Sequence, residues 1–234
     1  MRAIAKPIAA GVLAAALCSC ATDQSVPDRG VTEDKTHAVA LWDFESDVVG
    51  EVPGGWLITE TNRTETLATW EIVTDSSSTP ASHVLALTDS INYDGTYNLA
   101  IAEGTSFCDL DLTVRVRADS GVEDQGGGPI WRCVDRDNYY ICRFNPLESN
   151  YRVYVVKDGR RKQLGSARTE LEAGRWYEIR VVMKGPDIVC HLNGRKLLQV
   201  SDGTFPDAGM AGLWTKADAV TSFDNLTVRP IETN

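Results

Sequence analysis

The chain has 234 residues, 43% of them apolar and 24% charged, with a formal net charge of −10. That apolar share is enough for a packed core and excludes an intrinsically disordered chain, while the length suits one domain of sandwich type. The acidic excess repels nucleic acid and anionic lipid headgroups, so neither is expected as a partner.

Residues Met1–Cys20 read as an address rather than as a folded element. Arg2 and Lys6 give a positive start, and the uncharged run Ile8–Leu17 is too short for a permanent membrane span. The stretch Leu17-Cys18-Ser19-Cys20 resembles the lipobox of bacterial lipoproteins, with leucine at minus three and a small residue at minus one from Cys20. The resemblance implies a diacylglycerol on the Cys20 thiol, cleavage just before it, and export to the cell envelope. Ala21 in the next position favours the outer membrane. Cys18 follows the bulky Leu17 and is the poorer acceptor. The alternative is an ordinary secretory leader cleaved nearby. Each buried acyl methylene contributes about 0.8 kcal/mol, so several chains on one residue hold firmly. Bilayer contact is expected through the acylated Cys20 only.

Residues 20–38 read as that cysteine and a flexible tether rich in Asp, Glu, Ser, Thr and Pro. Such a tether has a root-mean-square reach of about 23 Å for about 18 residues. A single folded domain, expected to be monomeric, follows over residues 39–234.

Within that domain the apolar residues alternate with period two. Leu41 to Phe44 is strand-like. Leu110, Leu112, Val114 and Val116 interleave with Asp111, Thr113, Arg115 and Arg117, the pattern of a strand with one buried and one wet face. A hairpin is expected from Ile130 to Asn145. Tyr151, Val153 and Val155 against Arg152, Tyr154 and Val156 give another strand, closed by an Asp158-Gly159 turn. Tyr177, Ile179, Val181 and Met183 make one more. Ile188, Cys190 and Leu192 then lead into Asn193-Gly194, a strong hairpin signal, with Leu197 to Val200 returning. Phe223 to Val228 is strand-like and is expected to pair with Leu41–Phe44, closing an otherwise open edge. No helical period persists for a dozen positions. Ten or more short strands with turn residues between them predict an all-β sandwich or barrel.

Several stretches together resemble bacterial concanavalin A-like lectin/glucanase domains of the 3-keto-disaccharide hydrolase, or family 16 glycoside hydrolase-like, group. They are Glu123-Asp124-Gln125-Gly126-Gly127, Ile130-Trp131-Arg132, Asp137 through Glu148, Trp176-Tyr177-Glu178-Ile179-Arg180, Leu192-Asn193-Gly194 and Gly212 through Asp218. The similarity runs from about Leu41 to Arg229. It implies a jelly-roll sandwich of two antiparallel sheets whose concave sheet receives a saccharide. Family 16 glucanases carry a Glu-x-Asp-x-Glu run on one strand; Asp109-Leu110-Asp111 lacks both glutamates. Retaining glucanase chemistry therefore does not come with the resemblance.

If Asp137-Asn138 is the two-residue turn of the Ile130–Asn145 hairpin, Arg132 faces Arg143 and Cys133 faces Cys142. Trp131, Cys133, Tyr140, Cys142 and Phe144 then share a core face. Arg132, Tyr139, Arg143 and Asn145 share the other, where opposed arginines need an acidic or polar group between them. Glu148, Glu123, Asp124 or a ligand would serve. Guanidinium forks, an amide and an aromatic ring suit a saccharide surface. The alternative is a solvated face on which the arginines pair with carboxylates and contribute little. Glu148 is the first candidate for a catalytic or ligand carboxylate, with Glu123, Asp124 and Asp218 as candidate partners, since glycosidic cleavage usually needs two carboxyls about 5 to 9 Å apart. For a 3-keto sugar, one general base with Arg132 and Arg143 as oxyanion stabilisers would drive elimination. Trp214 is expected to offer a stacking ring at the rim, with Lys216 beside it. Trp42, Trp56, Trp70 and Trp176 are read as structural.

No cofactor is expected. His37 lies in the tether, and His83 and His191 lack zinc-like spacing. The alternative is a structural calcium near the paired termini at Asp43 and Asp224. Cys108, Cys133, Cys142 and Cys190 are all read as core thiols and as free, against the alternatives of Cys133–Cys142 and Cys108–Cys190 bridges. Three functions remain: a lipoprotein that binds and cleaves an oxidised or ordinary oligosaccharide, a non-catalytic glycan-binding module, or an envelope structural protein.

Overall fold

The computed structural model describes residues 39–63 and 66–232. Cys20, the leader, the tether and His37 lie outside the described residues. Fifteen strands and no helix occur among the described residues. They are β1 (Ala40–Trp42), β2 (Trp56–Thr61), β3 (Thr69–Asp75), β4 (Ser82–Asp89), β5 (Tyr97–Phe107), β6 (Leu110–Ser120), β7 (Gly127–Asp135), β8 (Asn138–Asn145), β9 (Asn150–Lys157), β10 (Arg160–Arg168), β11 (Trp176–Lys184), β12 (Asp187–Leu192), β13 (Arg195–Ser201), β14 (Gly209–Lys216) and β15 (Val220–Pro230).

They form two antiparallel sheets, an all-β jelly-roll sandwich. One has eight strands, in the order β13-β12-β11-β6-β15-β4-β3, with β1 also paired to β15. The other has seven, in the order β10-β9-β8-β7-β14-β5-β2. The ends of the domain meet as the alternation predicts, with Ala40 opposite Val228 and Trp42 opposite Leu226. The turns Asp158-Gly159 and Asn193-Gly194 place both residues at positive φ, the conformation whose twist matches the flanking strands.

The two sheets bury their faces differently. In β6, buried and half-buried residues alternate through Leu110, Leu112, Val114, Val116 and Ala118, so one face meets the core and the other meets solvent. In β8, every residue after Asn138 is buried. One face of the seven-stranded sheet joins the sandwich core through Trp131, Tyr140, Cys142, Phe144, Tyr151 and Val153. Trp131 stacks on Tyr140 at 5.7 Å and donates its indole N–H to Met183 Sδ in the opposite sheet at 3.0 Å. A fully buried side chain of this kind contributes about 1.5–3 kcal/mol. The other face carries a second buried cluster, including Tyr97, Ile130, Tyr139, Ile141, Tyr154 and Trp214.

That second cluster requires the sheet to curl. Arg161 on β10 and Tyr97 on β5 are five strand intervals apart, about 24 Å if the sheet were flat. The Arg161 guanidinium nevertheless sits 5.0 Å from the Tyr97 ring. At one corner the sheet's edges touch: Asn62 Nδ2 donates to Gly159 O at 3.2 Å, and the Thr61 hydroxyl meets Tyr139 Oη at 2.8 Å and donates to Arg136 O. The second face is therefore the wall of a trough.

The β7–β8 hairpin departs from the expected register. Trp131 faces Tyr140 and Asp135 faces Asn138, so Arg136-Asp137 is the turn, and the register shifts between Trp131 and Asp135. Arg132 sits in that bulge at φ +44. Arg132 does not oppose Arg143, and Cys133 moves into the trough cluster while Cys142 stays in the core. A bulge adds a residue to one strand and reverses facial parity beyond it. Cys108 is likewise not a core residue: it lies exposed in the turn between β5 and β6. The four described cysteines are free. Opposite faces separate Cys133 from Cys142, and Cys190 lies against Cys142 across the core instead.

β7 has no room for side chains where it enters the sheet. A Cβ on Gly128 would lie 1.9 Å from Cys142 O, and one on Gly127 would lie 2.3 Å from Trp214 O. Gly128→Ala is therefore expected to destabilise by about 1–3 kcal/mol, as overpacking does, and to lower the thermal midpoint by roughly 2–4 °C for each kcal/mol. A calorimetric scan showing an unchanged midpoint would mean that β7 is free to move away from β8.

Candidate functional site: a polar cleft at the mouth of the trough

β8 and β9 bring the site together because their register sets Arg143 directly opposite Arg152. Two like charges in facing positions repel unless something neutralises them. Glu148, in the turn that joins these strands, does so. Its Oε2 accepts from Arg143 Nη2 at 2.9 Å, Arg152 Nη1 at 3.1 Å and Asn150 Nδ2 at 2.8 Å. Its Oε1 carries no bond within the described residues, and the side chain is 47% exposed. Burial would raise the Glu148 carboxyl. The hydrogen bonds from Arg143 and Asn150, with the charges of Arg143 and Arg152, outweigh it and hold the group at about 2.

Arg143 is the buried centre of this arrangement, with its side chain 2% exposed. Besides Glu148 it donates to Asn150 Oδ1 at 2.9 Å and to Tyr154 Oη at 3.3 Å. Its Nε is buried without a partner. A buried guanidinium left without its carboxylate is costly, so the Arg143–Glu148 contact, buried on the arginine side only, fixes the β8–β9 turn as well as the charge.

In front of Glu148 lies a cleft of about 390 Å³ lined by Glu148, Asn150, Arg152, Ser166 and Arg168, with Leu147 and Ser149 at its edge. Asn150 and Arg152 reach it because they alternate with the core residues Tyr151 and Val153 on β9. Ser166 and Arg168 stand opposite Arg152 and Asn150 on β10.

Behind the cleft, Asn145 and Asp124 link Glu148 to Lys216. Asn145 Oδ1 accepts the Glu148 backbone N–H at 3.1 Å, and Asn145 Nδ2 donates to Asp124 Oδ1 at 2.7 Å. Lys216 pairs with Asp124 at 3.0 Å and with Asp94 at 2.6 Å. Burial raises the Asp124 carboxyl above its ordinary range, against the charges of Arg143 and Lys216. Burial opposes the Lys216 ammonium, but Asp94 and Asp124 raise it on balance.

The remaining expected site residues serve the frame. Arg132 is buried, donating from Nε to Cys108 O and from Nη1 to Phe205 O, both at 2.8 Å, and pairing with Asp109 at 3.1 Å. It pins the β5–β6 turn to the segment before β14. Tyr139 is buried, with its hydroxyl on Thr61. Trp214 is also fully buried rather than at a rim, against Tyr97 at 5.4 Å and under Arg161 at 5.7 Å. Asp218 accepts the backbone N–H groups of Val122, Glu123 and Asp124 and so shapes that loop. Among the expected residues, Arg143, Asn145, Glu148 and Lys216 come together; Arg132 does not join them.

Sequence reasoning missed Asn150, Arg152, Ser166, Arg168 and the aromatic seat of Arg161. The alternation along β9 placed Arg152 and Tyr154 on one face, but nothing local tied that face to Glu148. Arg161 stacks over Tyr154 at 4.5 Å and Tyr97 at 5.0 Å, with Nη1 buried and unpartnered, a charge held by ring faces.

Among the described residues no three His, Cys, Asp or Glu side chains converge as a metal ion requires. Asp224 pairs with Arg115 at 3.2 Å, and its Oδ1 is buried without a partner.

Residues 139–231 match the family of galactocerebrosidase C-terminal lectin domains. No curated protein sequence matches the chain. Among solved structures, the carbohydrate-binding module CBM66 from Bacillus subtilis is 18% identical, with a TM-score of 0.58 over 75% of this chain and 95% of that one. The cellulose induced protein Cip1 is 14% identical, with a TM-score of 0.59 over 83% and 99%. Domain 4 of AbnA, an extracellular arabinanase from Geobacillus stearothermophilus solved with arabinotriose, is 10% identical, with a TM-score of 0.52 over 83% and 93%. The fold is a lectin-like jelly roll related to those of carbohydrate-binding modules and glycosidase domains.

The Glu148 clamp carries a pH signature. A carboxyl lowered from 4.5 to about 2 stabilises the folded state fully above the higher value and loses that contribution as pH falls toward the lower. Glu148→Gln is expected to unfold at a lower temperature than the parent at pH 7. The gap should close between about pH 4.5 and 2; a gap constant across that window would remove the clamp from the account.

Proposed function

We propose that the protein is a saccharide-binding module whose ligand enters the Glu148 cleft. The observation that carries this reading is the division of labour between the two oxygens of Glu148. Three donors hold Oε2, while Oε1 is left as a fixed, ionised acceptor facing a polar cleft. A sugar hydroxyl needs an acceptor of that kind, with directional donors beside it, and Arg152 Nη2 and the Ser166 hydroxyl supply those donors, both Asn150 amide N–H groups being held by Glu148. The relationship of the fold to carbohydrate-binding modules supports the same reading.

Cleavage of a glycosidic bond, in a 3-keto or an ordinary oligosaccharide, is the second reading. One observation favours it: Asp124 is raised and Glu148 lowered, the separation that distinguishes a proton donor from a carboxylate base or nucleophile. Binding is the better supported of the two, because Asp124 is buried and held by Lys216, Asn145 and the Gln125 backbone N–H. Saturation-transfer spectra of the full-length protein with oligosaccharides, recorded together with a proton NMR time course, test both readings. Binding without new anomeric signals, weakened about tenfold or more in Glu148→Ala, is the expected result. New anomeric signals that vanish in Glu148→Gln would establish cleavage, and binding undisturbed by Glu148→Ala would move the site elsewhere.

We further infer that this module is exported and held at the envelope, at the outer membrane, by acylation of Cys20, with the domain beyond residue 38 carried on the tether. The lipobox-like Leu17-Cys18-Ser19-Cys20 supports that placement. Cys20→Ser is expected to shift the protein from the membrane fraction to the soluble fraction on cell fractionation. Retention in the membrane fraction would point to a different anchor.

A further inference from the structure

Resting on the saccharide reading, we propose that the cleft recognises an acidic sugar, with the carboxylate of a uronic acid residue bound between Arg152 and Arg168. The chain as a whole is acidic, with 33 Asp and Glu against 23 Lys and Arg, yet the cleft reverses that balance. Glu148 is the one carboxylate among its lining residues, and it is shared by Arg143 and Arg152. Arg168 lines the same cleft, is exposed, and its side chain has no ion pair or hydrogen bond among the described residues. Two guanidinium groups therefore line the cleft against one carboxylate, and the cleft carries a net positive charge inside an acidic molecule.

The positions of these groups suit an anionic sugar. Arg152 stands opposite Ser166 and Arg168 opposite Asn150, which makes Arg152 and Arg168 diagonal neighbours on one sheet face, about 7–8 Å apart at their bases. Guanidinium groups on stems at that spacing converge on a single carboxylate, and planar forks bind carboxylates through paired N–H bonds. Arg152 uses Nε on Ser166 and Nη1 on Glu148 and Tyr154, which leaves Nη2 to donate outward. Glu148 Oε1 stands in the same cleft as an acceptor for a ring hydroxyl. A uronic acid presents both features on one ring: an anionic group for the arginines and vicinal hydroxyls for the glutamate. A neutral sugar leaves Arg168 without a counter-charge. A simple inorganic anion leaves Glu148 Oε1 without a donor. Because the surrounding protein is acidic, the attraction is confined to the cleft and falls with salt.

Calorimetric titration of the full-length protein at low salt, with digalacturonate, its methyl ester and the neutral digalactoside, tests the proposal. The expected result is binding of the free acid at least about tenfold tighter than either uncharged sugar. That preference should be lost in Arg168→Ala, whose exposed side chain forms no hydrogen bond or ion pair among the described residues, and weakened as salt rises. Equal binding of acid and ester would overturn the charge recognition and leave the saccharide reading standing. Failure of all three sugars to bind would overturn both. Binding of inorganic sulfate as tightly as digalacturonate would overturn the sugar assignment and reduce the cleft to an anion site.

Discussion

A seven-stranded sheet with apolar side chains on both faces cannot lie flat in water. One face of this sheet closes the sandwich core; the other carries Tyr97, Ile130, Tyr139, Ile141, Tyr154 and Trp214, and among the described residues no second sheet layer covers it. The sheet buries that face by curling, so that β2 meets the β7–β8 and β9–β10 turns through Thr61 and Asn62. Everything that makes the protein a candidate receptor follows from this curl. It creates a trough, brings Arg161 across to Tyr97, and gathers the ends of β8, β9, β10 and β14 around one mouth.

At that mouth the electrostatics are organised around a buried cation. Arg143 is nearly sealed from solvent, and a charge there is tolerated only with close partners. Glu148, Asn150 and Tyr154 provide them. The same contacts keep Glu148 ionised and commit Oε2 to three donors, leaving Oε1 as the free acceptor. Rigidity of this kind lowers the entropic cost of holding a ligand. Lys216, Asp124 and Asn145 repeat the principle one layer back, where a buried carboxylate is balanced by an ammonium and an amide.

The eight-stranded sheet plays a different part. Its outer face carries Arg115, Arg117 and Arg180, paired with Asp224, with Asp75 and Asp119, and with Asp111, and Trp176 lies beneath Arg115 and Arg117 at 4.8 Å. Those three arginines have carboxylates of their own, whereas Arg168, which lines the cleft, has none among the described residues.

Much of the fold was legible in the residues themselves. Period-two alternation in Leu110–Arg117 and Tyr151–Val156 and the Asp158-Gly159 and Asn193-Gly194 turns follow from local steric preferences and from the burial of one face per strand, and the strand-like character of both ends of the domain was read the same way. Glu148 and Arg143 were each legible as site candidates, but the sequence left Glu148, Glu123, Asp124 and a ligand as alternatives for the group that meets Arg143. What the sequence could not reveal depends on distant register. The bulge at Arg132 reverses facial parity with no signal in the residues around it, and so moves Arg132 into the frame and Cys133 into the trough. Arg152, Ser166 and Arg168 join the site only because β8, β9 and β10 align as they do, and Trp214 is buried rather than exposed because a sheet of seven strands curls. Alternation along a strand is local physics and is written in the sequence. Which strand lies opposite, at what offset and with what curvature, is settled by the whole core packing at once, and those choices decided the site.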